Sequence, residues 1–270
     1  MFCFQCQETA KGKGCTVKGV CGKEETTSDL QDLLIYNLKG IAVLAEGLKA
    51  GGVDVGRDVG PFVAKGLFTT ITNANFDDTS LVLWIKQSLG VKKGLKDKLD
   101  ALAPSAAKDS LLKKIVGLFV APPEADGEIA LHDSALWFDD NEPDYQKKAK
   151  TVGVLATQNE DVRSLRELLI LGLKGVAAYA DHAAVLGVEK DEIYDFLLKA
   201  LASTTEDLSV DEMVGLVMKA GECAVTTMAA LDEANTKSYG NPEISEVNIG
   251  VGDKPGILIS GHDLKDMEEL

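Results

Sequence analysis

The sequence predicts a mainly α protein: an N-terminal cysteine-rich loop, two related helical-bundle subdomains, and then the start of an α/β domain. Three observations predict it. Apolar residues recur at helical spacing in long runs between residues 28 and 234. One of those runs returns 135 positions further on without a gap. After Tyr239-Gly240 the pattern changes to short apolar segments bounded by turn residues. The expected divisions are a loop at 1–27, a first helical subdomain with an irregular excursion at 28–140, a second at 141–240, and an incomplete α/β domain beginning at 241–270.

The loop comes first. Residues 3 to 21, CFQCQETAKGKGCTVKGVC, hold four of the chain's five cysteines at spacing C-x2-C-x8-C-x5-C. The connecting segments QETAKGKG and TVKGV lack the periodicity of a helix or strand, so their order must come from what the sulfurs bind. The long x8 and x5 loops suit an iron–sulfur cluster. A structural zinc site more often pairs two short Cys-x2–4-Cys knuckles; zinc and disulfides stay open as alternatives. Glycines at 12, 14, 19 and 22 let backbone N–H groups come close to a bound group. Lys11, Lys13, Lys18 and Lys23 face a single acid, Glu8, in a chain of net charge −15. Such ammonium groups favour thiolates and an added electron, and help electron entry at an otherwise acidic surface.

A helix is expected directly after the loop, with Ser28 and Gln31 as a capping box. Leu30, Leu33, Leu34, Leu38, Ile41, Ala42, Ala45 and Leu48 mark its apolar face, and Gly51-Gly52 stop it. Asn159 opens a second such helix through residue 186. Ser209 and Glu212 form a capping box for a third, running to about residue 234. Shorter helical patterns fill 78–90, 107–118 and 190–202. The repeat pairs DLLIYNLKGIAVLAEGLKAGG (32–52) with ELLILGLKGVAAYADHAAVLG (167–187). Thr69-Thr70 and Ser203-Thr204 then match at an offset of 134. Gly40 and Gly175 sit mid-helix at a cost of about 1 kcal/mol each, which a close approach of another backbone offsets. Cys223 reads as a buried small hydrophobe, and His182 as structural. Residues 119–150, rich in acids and proline, read as an exposed connector with a solvated His132.

Beyond residue 240, SEVNIGV and PGILISGH read as β segments, GILIS as a buried parallel strand of a Rossmann-like domain. Gly261-His262-Asp263 follows it, where ligands gather in such sheets. LKDMEEL then begins a helix. One or two strands do not make a sheet, so the rest of that domain is expected from sequence beyond this chain or from a second chain.

Composition bounds the function. A net charge of −15 with one small basic cluster argues against nucleic acid as partner. No run of eighteen consecutive apolar residues occurs, so no membrane partner is expected. The start MFCFQCQE has no secretory pattern, and the cytoplasm is the expected location, where structural disulfides are rare.

MFCFQCQETAKGKGCTVKGVCGK, NEDVRSLRELLILGLKGVAAYADHAAVLG, TTEDLSVDEMVGLVMKAG and GNPEISEVNIGVGDKPGILISGHDLKDMEEL together resemble the hybrid cluster proteins, also called prismane proteins or hydroxylamine reductases. The resemblance covers nearly this whole chain but about the first half of a family member. It implies a [4Fe–4S] cluster on Cys3, Cys6, Cys15 and Cys21, the anaerobe-type spacing. It implies that His262 is one ligand of a second, hybrid iron–sulfur–oxygen cluster, completed by residues beyond this chain. It implies reduction of hydroxylamine to ammonia and water, with electrons from a donor protein and a small nitrogen–oxygen substrate. Nitric oxide reduction in nitrosative-stress defence is an alternative. A non-enzymatic helical interaction module stabilised by a cluster or zinc is another.

Overall fold

The computed structural model describes residues 1–72, 74–101, 131–259 and 264–270. His262, the 107–118 pattern and part of the 119–150 connector lie outside the described residues. Two compact units are present, Met1–Tyr239 and Gly240–Leu270.

The first unit is helical. Its helices are α1 (Glu25–Ala50), α2 (Val59–Thr69), α3 (Asp78–Ala101), α4 (Asp133–Leu136), α5 (Glu142–Val152), α6 (Glu160–Val185), α7 (Asp191–Ser203) and α8 (Val210–Tyr239). Helix α1 is the hub. It buries residues all round its circumference, including Leu33, Tyr36, Leu38, Ile41, Leu44 and Leu48, as a helix enclosed by others must. It packs against α3, α7, α5, α4 and α2. Helix α6 is the second hub, packed on α8, α2 and α7.

The repeat seen in the sequence has a structural counterpart with an exchange in it. Hub and third helix pair within each repeat, α1 with α3 and α6 with α8. The second helices cross over: α2 packs chiefly on α6, and α7 chiefly on α1. The ends of α2 and α7 match in detail. Thr70 and Thr204 are their C-caps. The Thr70 hydroxyl donates to the Leu67 carbonyl at 2.8 Å, and the Thr204 hydroxyl to the Leu201 carbonyl at 2.7 Å.

Two helix starts follow the expected chemistry. Asn159 Oδ1 accepts from the Asp161 and Val162 amides. Ser209 and Glu212 close their box, with Ser209 N–H donating to Glu212 Oε2 at 2.9 Å and Glu212 N–H to Ser209 Oγ at 3.3 Å. The box expected at Ser28 does not form. Helix α1 already begins at Glu25, and Gln31 is drawn away, accepting from Lys23 and donating to the Asn75 carbonyl. Helix α8 runs to Tyr239, beyond the expected end near 234.

The expected connector is corrected where it is described. Helices α4 and α5 pack on α1 and bury Ser134, Ala135, Tyr145 and Ala149. Two of the acids that suggested a loop, Glu142 and Asp144, are in the first turn of α5, where they favour a helix N-terminus. His132 is exposed, and its Nδ1 caps α4 by accepting from Ser134 N–H. Gly40 has the close backbone approach that its mid-helix position implied: a Cβ there would lie 2.1 Å from the Ser134 carbonyl oxygen. Gly175 has none, with no such atom within 4 Å. Cys223 packs half-buried against the core, and burial pushes its thiol pKa up. The His182 ring meets Phe68 edge-on at 5.3 Å.

Helices α6 and α8 are each long and apolar enough to cross a membrane by length and composition, although no consecutive apolar run suggests it. In α6 half of the apolar window is buried inside the fold, which accounts for its composition as a core helix. Helix α8 buries a narrow stripe, Met213, Ala220, Thr227, Ala230 and Ala234, and leaves Val214, Met218, Val225 and Met228 exposed.

In the second unit, the described residues form no strand. SEVNIGV and GILI are irregular, and Ile249 and Leu258 are 99% and 96% exposed. The expected buried strand is absent from residues 240–259 for a plain reason: a strand is stabilised by a neighbour's backbone, and no described segment supplies one. A short helix, α9 (Leu264–Glu269), follows.

Candidate metal centre

The cysteine loop lies against the hub helices. An isolated antiparallel bridge joins its first and third cysteines, with Cys3 N–H donating to the Cys15 carbonyl at 3.0 Å and Cys15 N–H to the Cys3 carbonyl at 2.8 Å. The chain's terminal ammonium pairs with Asp29 of α1 at 3.3 Å and Glu25 at 3.4 Å, which pins Phe2 and Cys3 beside that helix. A single 3-10 turn, Ala10–Gly12, carries the loop between Cys6 and Cys15.

Two glycines are required by contact. A Cβ at Gly14 would sit 2.6 Å from the Phe2 ring, and Gly14 has φ +157°. A Cβ at Gly19 would lie 3.0 Å from Cys21 Sγ and 3.1 Å from the Lys23 amide nitrogen. Both let the loop fold tightly around its sulfurs, which explains the glycine density in this stretch.

All four loop cysteines are free thiols. Cys15 is buried, Cys3 and Cys6 are half-buried, and Cys21 is exposed. The Ala10 amide donates to Cys15 Sγ at 3.5 Å. That bond, then a second from the Val20 amide, holds the Cys15 thiol below its ordinary pKa, because a donated N–H stabilises the thiolate. Among the described residues no three His, Cys, Asp or Glu side chains gather closely enough to hold one metal ion.

The lysines divide. Lys11, Lys13 and Lys18 are exposed, and Lys18 pairs with Glu24 at 2.5 Å. Lys23 is 2% exposed. It donates to Gln31 Oε1 at 2.7 Å and lies over the Phe76 ring. It is a buried strut beneath the loop, not part of a charged surface, since Gln31 and Phe76 offer a partner and a face that water would otherwise supply.

A further link was missed by sequence reasoning. Lys174 of α6, 3% exposed, donates to Gln5 Oε1 at 3.1 Å and to the Thr70 carbonyl at 3.2 Å. Burial pulls its pKa down to about 8, against the attraction of Asp32. Gln5 stands between Cys3 and Cys6, so this contact ties the loop to the core. Lysine at the same place in both repeats was the available signal.

The chain matches the Prismane/CO dehydrogenase family over residues 1–270. It is 59% identical over 270 residues to a hydroxylamine reductase of Nitratidesulfovibrio vulgaris, with all of this chain and 46% of that protein covered. It is 58% identical over 272 residues to a hydroxylamine reductase of Desulfosudis oleivorans, covering all of this chain and 45% of that protein. A hydroxylamine reductase of Clostridium botulinum is 51% identical over 274 residues, with all of this chain and 48% of that protein covered. The chain thus spans slightly under half the length of these relatives. With its four-thiol loop packed on paired hub helices and a match along its whole length, it belongs to the Prismane/CO dehydrogenase family.

Proposed function

We propose that this chain is the electron-entry portion of an iron–sulfur hydroxylamine reductase. The observation that carries the reading is the set of four unpaired thiols in a glycine-rich loop with an amide aimed at sulfur, in a chain wholly covered by relatives named hydroxylamine reductase. Cys3, Cys6, Cys15 and Cys21 would hold a [4Fe–4S] cluster. That donor set fits: Cys thiolates ligate such clusters, and hydrogen bonds to sulfur tune their potential. Zinc fits less well, because a structural zinc site more often pairs two short Cys-x2–4-Cys knuckles, and this loop has a single one. When bound, the cluster supplies one-electron redox chemistry.

The chain's own residues do the rest. Cys21 sits at the exposed edge of the loop, flanked by exposed Val17, Lys18 and Val20, which offers a docking rim for a donor protein. Cys15 lies on the inner side, shielded from water. Exposed Lys11 and Lys13 favour an incoming electron and an acidic donor surface. Lys174 and Gln5 hold the loop to α6. His262 would give one ligand to a second, hybrid iron–sulfur–oxygen centre completed by sequence beyond this chain, and that centre would supply the redox chemistry for the overall conversion, NH2OH with two electrons and two protons to NH3 and H2O.

The test is anaerobic reconstitution of the complete protein and single Cys→Ser variants at the four positions. Each variant is expected to lose cluster iron and the hydroxylamine reduction that depends on it. Retention of both by all four variants would sink the proposal.

A further inference from the structure

A cavity of about 240 Å³ lies between α1, α5 and α6, apart from the cysteine loop. Asp32, Lys39, Arg166, Glu167, Thr157 and Thr204 are among the residues that line it. Three of its ionisable groups lack a direct side-chain partner. Asp32, Lys39 and Glu167 make no hydrogen bond or ion pair within the described residues. Enclosure shows in their proton equilibria: burial pushes Asp32 up to about 7, raises Glu167 and lowers Lys39. All three keep partial exposure, and Asp32 and Glu167 also line the smaller pocket beside Gln5 and Lys174. Opposite charges face one another across it, Lys39 attracting both Asp32 and Glu167, and their donors and acceptors are left for whatever enters the cavity. At roughly 30 Å³ per water it has room for several molecules or one small ligand.

The internal repeat says what belongs there. Asp32 corresponds to Glu167 and Lys39 to Lys174, each pair separated by two helical turns on its hub helix. Thr204, at the end of α7, corresponds to Thr70, at the end of α2. In one half, Lys174 donates to the Thr70 carbonyl and to the side-chain amide oxygen of Gln5. In the other half, Lys39 and Thr204 line the cavity together, and among the described residues none plays the part of Gln5.

We infer that the cavity at Lys39 is a binding site for a small neutral carboxamide-like molecule, seated as the Gln5 amide is seated at Lys174. Its oxygen accepts from the Lys39 ammonium, and its N–H groups donate toward Asp32 and Glu167. A carboxylate ligand is disfavoured, because it would bring a third negative group against those two. Gly153 keeps the room open: a Cβ there would lie 2.7 Å from Asp32 Oδ2 and drive that side chain inward. Arg166 donates through its two terminal nitrogens to Thr157 and to the Glu206 carbonyl, while its buried Nε–H has no partner. This site is independent of the cluster and of the reaction proposed above.

The probe is acetamide, titrated calorimetrically into the complete protein, with acetate as the charged counterpart. One saturable acetamide site is expected, with acetate at least tenfold weaker. Lys39→Met should weaken acetamide at least tenfold without lowering the unfolding midpoint, because methionine keeps the length of the side chain and removes an amine that makes no direct hydrogen bond. Gln5→Ala should open the equivalent seat at Lys174 and raise the stoichiometry from one to two. Gln5→Ala combined with Lys39→Met should return it to one. Absence of a saturable site, indifference to Lys39→Met, preference for acetate, or a stoichiometry of one in Gln5→Ala would each overturn the inference.

Discussion

Gly40→Ala and Gly175→Ala form a matched pair on equivalent positions of the two hub helices, and the structure separates them sharply. In an open helix either change stabilises by up to about 1 kcal/mol, because alanine has the better helix propensity. At Gly175 the new methyl meets no atom within 4 Å, so that gain is expected nearly whole. At Gly40 the methyl would lie 2.1 Å from the Ser134 oxygen and 2.6 Å from its carbonyl carbon. Both are backbone atoms, and they cannot rotate away. The same oxygen accepts from Lys92 at 3.0 Å, a lysine with no solvent exposure whose other partner is Asn37 at 2.7 Å. Displacing α4 therefore costs overpacking strain of about 1–3 kcal/mol and weakens a buried charge-assisted hydrogen bond worth about 1.5–3 kcal/mol. After the propensity gain, Gly40→Ala should destabilise by roughly 2–5 kcal/mol. Urea unfolding followed by helical circular dichroism measures both. Equal shifts for the two variants, or a stabilised Gly40→Ala, would refute the packing argument.

Three further outcomes follow from particular contacts. Asp32 holds its proton more tightly in the folded chain, at about 7, than in the unfolded chain, near 3.9. Its contribution is therefore present below about pH 4 and lost as pH rises through about 7; Asp32→Asn should flatten the fall in urea midpoint across that window, and an unchanged slope would place the titration elsewhere. Lys23→Ala should destabilise by about 1–3 kcal/mol by leaving buried Gln31 Oε1 without its donor, whereas Lys11→Gln with Lys13→Gln should leave stability alone and reduce the salt dependence of donor association; stopped-flow electron entry at two ionic strengths separates the two classes. Ser209→Ala should cost about 1 kcal/mol and speed amide exchange in the first turn of α8 by opening its capping box; unchanged exchange there would make the box incidental.

Much of the helical organisation was legible because it is local. Asn159 and Ser209 cap helices with their own side chains, and nothing distant competes for them. Ser28 carried the same signature and failed because Gln31 had a better use, bridging Lys23 and the Asn75 carbonyl. Helix α2 went unread: eleven residues with two glycines and a proline carry little local signal, and it is held by packing on α6. The repeat was legible, but not the crossing of its second helices, since an offset between segments does not say which hub each segment meets. The same limit hid the cavity. Asp32, Lys39, Glu167 and Lys174 are unremarkable singly and acquire meaning only when α1 and α6 bring them together. The segments beyond residue 240 had the composition of strands, yet a strand's stability lies in its neighbour. The cysteine loop was the clearest signal, because glycines and thiols at close spacing have few other uses. Even there Lys23 misled, since charge in a sequence does not reveal which side of a loop faces the core.

The measurement that bears most directly on the account is iron and acid-labile sulfide per chain, with Mössbauer spectra, for residues 1–270 prepared anaerobically. About four irons and about four sulfides are expected, with both lost in Cys15→Ser. One tightly held zinc with no sulfide, or four thiols oxidised into two disulfides, would contradict it.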